Sequence, residues 1–178
     1  MTMKRIDQAS DKGVPPVPDL SKLPNDFINS LKFGPMTDED LAEVASIRHL
    51  SDPWKSRSET VEQTQQTVSK LRPFVQVSKY QNHVIGYVTV ERDGPVAGAA
   101  YMRNIVVKPE LRQKGIGMRL LQHAMQVARD LHRRTLALRV DPANAAAVSF
   151  YRKAGFTTVA TVVSKKSGKL RLLMSREL

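Results

Sequence analysis

The stretch IVVKPELRQKGIGMRLL, residues 105–121, joins a run typical of a β-strand to a run with helical spacing. Between the two lies RQKGIG, residues 112–117, with two glycines and two cations where the helix begins. After Gly117 the apolar residues recur every 3.6 residues and polar residues take the opposite side, which predicts a helix of about four turns lying on a sheet. The apolar positions are Leu120, Leu121, Ala124, Met125, Ala128 and Leu131.

The turn before this helix has the features of an anion-binding site. The first turn of a helix leaves several backbone N–H groups unpaired and carries about half a positive charge. Gly115 and Gly117 allow a ligand to approach the backbone closely and allow φ > 0, while Arg112 and Lys114 add formal charge. A pyrophosphate is therefore the predicted ligand, although glycines at a strand-to-helix turn also serve a purely steric need.

The rest of the chain predicts an α/β (α+β) domain with a mixed, mostly antiparallel sheet of six to seven strands and about four helices. Strand patterns cover 30–36, 74–80, 83–92, 99–108, 135–140, 156–164 and 169–177. Besides the helix after Gly117, helical patterns cover 37–50, 58–71 and 144–155. Thr37 and Ser58 are the predicted N-caps of the first two helices, and Gln81-Asn82 is the predicted two-residue turn of a hairpin.

Composition and length narrow the kind of protein. Residues 1–27 carry four prolines and are predicted to form an extended or disordered N-terminal arm, and 28–178 to form one domain. No apolar run is long enough for a membrane span and no secretion signal is evident, so a cytoplasmic protein without a membrane partner is expected. The chain has no cysteine, which excludes disulfides and a cysteine nucleophile, and its four histidines form no H-x-x-x-H pair, so no metal is expected.

The formal net charge of +11 is concentrated in the second half of the chain. Residues 99–178 carry 16 basic and 4 acidic side chains, a net charge of +12. Such a distribution fits a solvated basic surface that favours solubility. It also fits contact with an anionic partner, either an acidic molecule or one associated with nucleic acid.

Two separated motifs resemble the GNAT superfamily of acetyl-CoA-dependent N-acetyltransferases. IVVKPELRQKGIGMRLL resembles that family's central motif, in which R/Q-x-x-G-x-G/A follows a strand ending in V-x-P. NAAAVSFYRKAGF, residues 144–156, resembles its second motif and follows at the expected distance. The resemblance covers about residues 31–178 and implies a GNAT-like sheet whose strands splay at the acyl-CoA slot.

The resemblance also implies roles for individual residues. The backbone around Ile105, Val106 and Val107 would pair with the pantetheine arm of acetyl-CoA, and the side chain of Asn144 would hydrogen-bond it. Tyr151 would lie near the thioester sulfur and protonate the departing thiolate as a general acid. The N–H groups of the residues after Arg112 would hold the pyrophosphate: Gln113, Lys114, Gly115, Ile116, Gly117 and Met118.

Transfer is expected to proceed by direct attack of an amine, and one departure from the family bears on it. Two positions at which many relatives carry a glutamate base fall on Arg103 and Arg139, and arginine cannot act as a base at neutral pH. Three explanations are open: a water-mediated base, an acceptor amine of lower pKa, or an acidic acceptor clamped by both arginines. The candidates for the water-mediated base are Glu91, Tyr101 and Asp141.

The expected partners are acetyl-CoA and an amine acceptor, an acidic small molecule or a protein amino group. Trp54 lies where relatives that acetylate protein N-termini shape the mouth of the acceptor site, although it is equally compatible with a packing role. Acetylation of an aminoacyl-tRNA or a ribosomal protein is an alternative, and so is a non-catalytic acyl-CoA-sensing or RNA-associated module. Either a monomer or a homodimer is compatible with the sequence.

Overall fold

The computed structural model describes residues 19–57, 59–165 and 167–178. Its strands are β1 Lys32–Pro35, β2 Val75–Tyr80, β3 His83–Glu91, β4 Ala100–Val107, β5 Thr135–Val140, β6 Thr157–Val163 and β7 Leu170–Glu177. Its α-helices are α1 Leu41–His49, α2 Val61–Leu71, α3 Ile116–Asp130 and α4 Ala145–Lys153. The strands form one sheet in the order β1-β2-β3-β4-β5-β7-β6, in which only β4 and β5 are parallel. The predicted mixed, mostly antiparallel sheet with four helices is confirmed.

Helices cover both faces of the sheet. The apolar stripe of α3 packs against one face together with α4, and Leu120, Leu121 and Ala124 are fully buried there. On the other face, α1 and α2 enclose a second cluster that includes Val44 and Val68. Because both faces are covered, every residue of β3 from His83 to Val90 is buried, which explains why its sequence reads as an almost continuous apolar run.

The pairing between β4 and β5 ends early, and this opens the sheet. The two strands pair only from Ala100 to Met102, although β4 continues to Val107 and β5 to Val140. On its other side β4 stays paired with β3, where Thr89 faces Asn104 and Val90 faces Met102, so that Arg103 is the extra residue of a bulge. The predicted splay is therefore present, and the bulge lies at the residue where the strands part.

The helix ends are less well predicted than the helices. Thr37 is not the N-cap of α1, because the chain first makes a turn and the helix begins at Leu41. Asp40 still accepts hydrogen bonds from the N–H and hydroxyl of Thr37, and also pairs with Lys79. Burial alone would raise the pKa of the Asp40 carboxyl, but these partners outweigh it and hold the pKa below its ordinary value. The predicted hairpin turn is confirmed, with φ of 47° at Gln81 and 69° at Asn82.

Thr60, rather than Ser58, caps α2, and Ser58 lies outside the described residues. Thr60 and Gln63 form a reciprocal capping box. Replacing Thr60 by alanine is expected to lower the free energy of unfolding by about 1 kcal/mol, because it leaves the N–H of Gln63 without its partner. Urea unfolding measures this, with Thr67→Ala on the same helix as the control. Equal midpoints for the two variants would contradict the assignment of the cap.

The predicted N-terminal arm lies partly outside the described residues, which begin at Asp19. From there the chain makes short 3₁₀ turns at Leu20–Lys22 and Phe27–Ser30. Leu20, Leu23 and Ile28 pack against the cluster under α3. The division into an arm and a domain at residue 27 stays a prediction.

Candidate active site

The turn between β4 and α3 presents a row of free backbone donors. Gln113 and Gly115 adopt left-handed φ angles of 63° and 82°. Among the described residues, no acceptor is recorded for the five N–H groups from Gln113 to Gly117, whereas the N–H of Met118 donates to the carbonyl of Gly115 at 3.1 Å. Consecutive free N–H groups at the beginning of a helix form a concave site for an anion.

The two glycines of the turn serve different purposes. Gly115 requires its positive φ, and a Cβ there would lie 3.4 Å from Cδ1 of Ile28. Gly117 does not have a positive φ, so the expectation of left-handed backbone was wrong for this residue. A Cβ on Gly117 would meet only the ring of Phe150, at 3.8 Å. The second left-handed residue of the turn is Gln113 instead. The sequence did not predict this, because left-handed residues are usually glycine, asparagine or aspartate.

Near its end, β4 has backbone groups that point into the gap between β4 and β5. The N–H of Lys108 donates to the carbonyl of Ile85 in β3, at 2.9 Å. Since backbone groups alternate between the two edges of a strand, those of Ile105 and Val107 point to the edge that β5 has left. Both side chains pack against the cluster under α3, while Val106 points to the other face. An extended ligand can therefore pair with β4 along this edge.

Arg112 connects the turn to the opposite side of the sheet. Its Nε donates to the carbonyl of Val107 at 3.4 Å, and its Nη2 donates to the hydroxyl of Ser51, the second residue after α1, at 3.2 Å. Lys114 is exposed beside the free N–H groups. Sequence periodicity does not predict this contact, because Ser51 and Arg112 are 61 residues apart in the chain.

Helix α4 lies on the same side as the turn. Asn144 is its exposed N-cap, and its Oδ1 accepts a hydrogen bond from the N–H of Ala147 at 3.1 Å. Tyr151 is 8% exposed and packs edge-on against the rings of Phe150 and Phe156. Burial raises the pKa of Tyr151 well above its ordinary value, so its hydroxyl keeps its proton at neutral pH.

A second group of side chains lies on the α1/α2 face, where β4 and β5 part. Glu91 faces Tyr101 across β3 and β4, and Tyr101 faces Ala137 across β4 and β5. Arg103, at the bulge, makes a two-point ion pair with Glu91 and lies over the ring of Tyr101. Arg139 is exposed two residues beyond Ala137 and acts electrostatically on Tyr101. This cluster, called here the charged mouth, comprises Glu91, Tyr101, Arg103 and Arg139.

Trp54 does not lie in the charged mouth. It is 8% exposed within the cluster under α1 and α2, and the guanidinium of Arg48 stacks 4.2 Å from the centre of its ring. These contacts favour a packing role, and a role in shaping the acceptor site stays a prediction.

The part of the chain that the structure describes shows neither a metal-binding cluster nor a membrane-spanning helix. It contains no group of three or more His, Cys, Asp or Glu side chains arranged to hold a metal ion. None of its helices combines the length and apolar character required to cross a membrane.

Known proteins resemble this chain in both sequence and fold. A model of the acetyltransferase (GNAT) family matches residues 40–156. The GCN5-related N-acetyltransferase 4, chloroplastic, of Arabidopsis thaliana is 31% identical over 94 residues, which are 47% of this chain and 32% of that protein. A Bacillus subtilis (strain 168) protein named for alanine N-acetylation of ribosomal protein bS18 is 31% identical over 84 residues, 42% of this chain and 56% of that protein.

The chain thus spans about a third to just over half of the length of these curated relatives. Among solved structures, the ribosomal-protein-S18-alanine N-acetyltransferase from Escherichia coli superimposes with a TM-score of 0.64. The match covers 83% of this chain and 93% of that chain, with 18% sequence identity. At that identity the superposition shows a shared fold.

Proposed function

The chain belongs to the acetyltransferase (GNAT) family, and from this premise we propose that it transfers an acetyl group from acetyl-CoA to a primary amine by direct attack. The observation that carries this proposal is the row of five N–H groups, free among the described residues, beside the open edge of β4. The row suits a pyrophosphate and the open edge suits a chain of amides, and acetyl-CoA carries both.

The residues of the chain fit acetyl-CoA as follows. The N–H groups from Gln113 to Gly117 hold the pyrophosphate, with Lys114 adding positive charge. Ile105 offers its N–H and carbonyl, and Val107 its carbonyl, to the pantetheine arm. The Oδ1 of Asn144 is used in capping α4, which leaves its Nδ2 as the donor to that arm.

The thioester supplies an activated acetyl carbon, and the protein supplies a proton and a backbone donor. Tyr151 protonates the departing sulfur from its hydroxyl, which carries a proton at neutral pH. The N–H of Val107 stabilises the negative charge that develops on the carbonyl oxygen. The acceptor approaches from the α1/α2 face, on which the charged mouth lies.

The charged mouth favours an acceptor with an anionic group beside its amine. Two arginines and one carboxylate give this cluster a net positive charge, and no ion-pair partner is recorded for Arg139 among the described residues. A cation at the mouth of a cleft attracts an anionic acceptor and orients it. The acceptor is therefore an acidic small molecule or the amino group of a protein with a nearby carboxylate.

The release of free CoA tests the proposal directly. The purified protein is incubated with acetyl-CoA and a panel of amines that pairs each acidic acceptor with its amide analogue. We expect thiol release that depends on the amine, with acidic acceptors preferred. Folded protein that binds no acetyl-CoA by calorimetry and releases no thiol with any amine would contradict it.

Reversing the charge of Arg139 is expected to change the choice of acceptor. Arg139→Glu should lower kcat/KM for a peptide beginning with aspartate about tenfold or more, because a charge-assisted contact of about 1.5–3 kcal/mol is lost. The asparagine analogue should lose much less. The matched control is Arg129→Glu, an exposed arginine on α3. Equal effects on both peptides would show that Arg139 does not bind the anionic group.

A second candidate acceptor is the N-terminal amino group of a ribosomal protein. The similarity to the Bacillus subtilis protein named for ribosomal protein bS18 favours it. The basic second half of the chain also suits a partner associated with RNA. Ribosomal proteins as acceptors in the same assay distinguish this candidate, whereas tight, salt-dependent RNA binding without thiol release would favour a non-catalytic module.

A further inference from the structure

The structure leaves one carboxylate able to serve as the base. An acceptor ammonium group must lose its proton before it attacks, and the arginines at positions 103 and 139 cannot accept it. Burial raises the pKa of Tyr101, so its hydroxyl is protonated at neutral pH and is not a base. Asp141 follows the end of β5 and lies outside the charged mouth, with one oxygen bound by Arg171 at 2.9 Å and the other by the N–H of Ala143 at 3.0 Å. Among the candidates, Glu91 is therefore the carboxylate that lies in the charged mouth.

Glu91 is held by Arg103 in the structure, in a two-point ion pair whose second contact, from Nη2 to Oε2, measures 3.1 Å. Both carboxylate oxygens are used in these contacts, so neither is directed at an acceptor amine. The pair is accessible from the side of Arg103, whose side chain is 53% exposed, whereas that of Glu91 is 17% exposed. Only two of the five N–H donors of Arg103 are needed for Glu91.

We propose that an anionic acceptor displaces Glu91 from Arg103, and that the released Glu91 carboxylate then accepts the proton of the acceptor's ammonium group. This inference rests on the proposed acetyl transfer and names Glu91 as its base. One carboxylate replaces another on the guanidinium of Arg103, so Arg103 keeps a two-point anionic partner throughout the exchange. The charge of Arg139 draws the anion to the same place.

In the proposed acetyl transfer, each proton and each electron pair passes between named groups. Glu91 takes one proton from the ammonium group, and the lone pair this frees forms the bond from nitrogen to the acetyl carbon. The bond from that carbon to sulfur breaks, and the sulfur receives a proton from Tyr151. The nitrogen, which is positively charged after the attack, gives its second proton to the Tyr151 phenolate and so restores the hydroxyl, and Glu91 later releases its proton to solvent. A neutral acceptor leaves Glu91 on Arg103 and therefore reacts slowly. Binding of an anionic acceptor to Arg103 therefore both selects the acceptor and frees the Glu91 carboxylate that deprotonates its amine.

Two substitutions in the charged mouth test the inference. Glu91→Gln should lower kcat/KM for an aspartate-beginning peptide about a hundredfold, within the range for a general base, and should remove the acidic limb of its pH profile. Arg103→Met releases Glu91 permanently. It should lower kcat/KM for that peptide but raise it for the asparagine analogue. The matched control is Asp93→Asn, which breaks the ion pair of Asp93 with Arg133 outside this cluster.

The pH profile is interpreted with the groups that face Glu91, namely Arg103 and Tyr101 on β4 and Arg139 on β5. The inference is overturned if Arg103→Met lowers kcat/KM equally for both peptides. It is also overturned if Glu91→Gln leaves the pH profile unchanged. If the wild type releases thiol equally with acidic and neutral acceptors, the inference fails while acetyl transfer stands. If no amine causes thiol release, the proposed function itself fails.

A structure with bound acceptor does not depend on the folding of any variant. A crystal of the wild type with CoA and the aspartate-beginning peptide should show the peptide carboxylate on Arg103 and Glu91 turned toward the peptide amine. Persistence of the two-point pair between Glu91 and Arg103 in that complex would overturn the inference.

Discussion

Replacing Tyr151 by phenylalanine is expected to lower kcat about a hundredfold or more, within the 10²–10⁴ range for a proton donor in the transition state. The departing thiolate would then leave without a proton. The ring contacts with Phe150 and Phe156 do not require the hydroxyl, so KM for acetyl-CoA should change little. Steady-state kinetics with the preferred amine at saturating acetyl-CoA measure the effect.

The matched control is Tyr80→Phe, since Tyr80 is equally buried, at 8% exposure, but lies on β2 against Phe27. Both variants should unfold at similar temperatures, and only the change at Tyr151 should alter kcat. A Tyr151→Phe enzyme with the kcat of the wild type would remove this residue from the proposed mechanism.

Replacing Gly115 by valine is expected to weaken acetyl-CoA binding at least about tenfold, since a β-branched residue in a left-handed conformation costs roughly 1–3 kcal/mol. The φ of 82° at Gly115 orients the free N–H groups on either side of it. A chain that relaxes toward negative φ turns those groups away from the pyrophosphate. The added side chain also meets Ile28, which lies within contact distance of the first added carbon.

Calorimetric titration with CoA measures this change, and Gly34→Ala is the control. Gly34 lies in β1 with open space around it and no positive φ, so its variant should bind CoA like the wild type. Unaltered CoA affinity in folded Gly115→Val protein would contradict the placement of the pyrophosphate at this turn.

The features that sequence patterns predicted well are those that depend on neighbours along the chain. The stripe from Leu120 to Ala128 predicted α3 and the face it buries, because helical periodicity reports burial directly. The alternation and turn residues around Gln81-Asn82 predicted a hairpin for a similarly local reason. Helix boundaries were less certain. Ser58 and Thr60 are both acceptable cap residues for α2, and α1 begins after Asp40 rather than after Thr37.

The charged mouth could not be predicted in this way. Glu91 and Arg103 are twelve residues apart on different strands, and their meeting depends on the register between β3 and β4. One extra residue at Arg103 changes which side chains share a face beyond it. No periodicity in the sequence indicates that extra residue, and a clamp formed by the two arginines was one of three explanations that the sequence left open. In the structure Arg103 is paired with Glu91, and no such partner is recorded for Arg139 among the described residues.

The anion-binding turn is a property of the sequence, because six consecutive residues carry its glycines and charges and the helix that follows supplies its free N–H groups. Its surroundings come from the fold. The contact of Ile28 with Gly115, the bridge from Arg112 to Ser51 and the pairing of Glu91 with Arg103 each join segments that only the packed sheet brings together. Local backbone preferences act between neighbours in the chain, whereas register, bulges and early ends of pairing are decided by how all the strands pack at once.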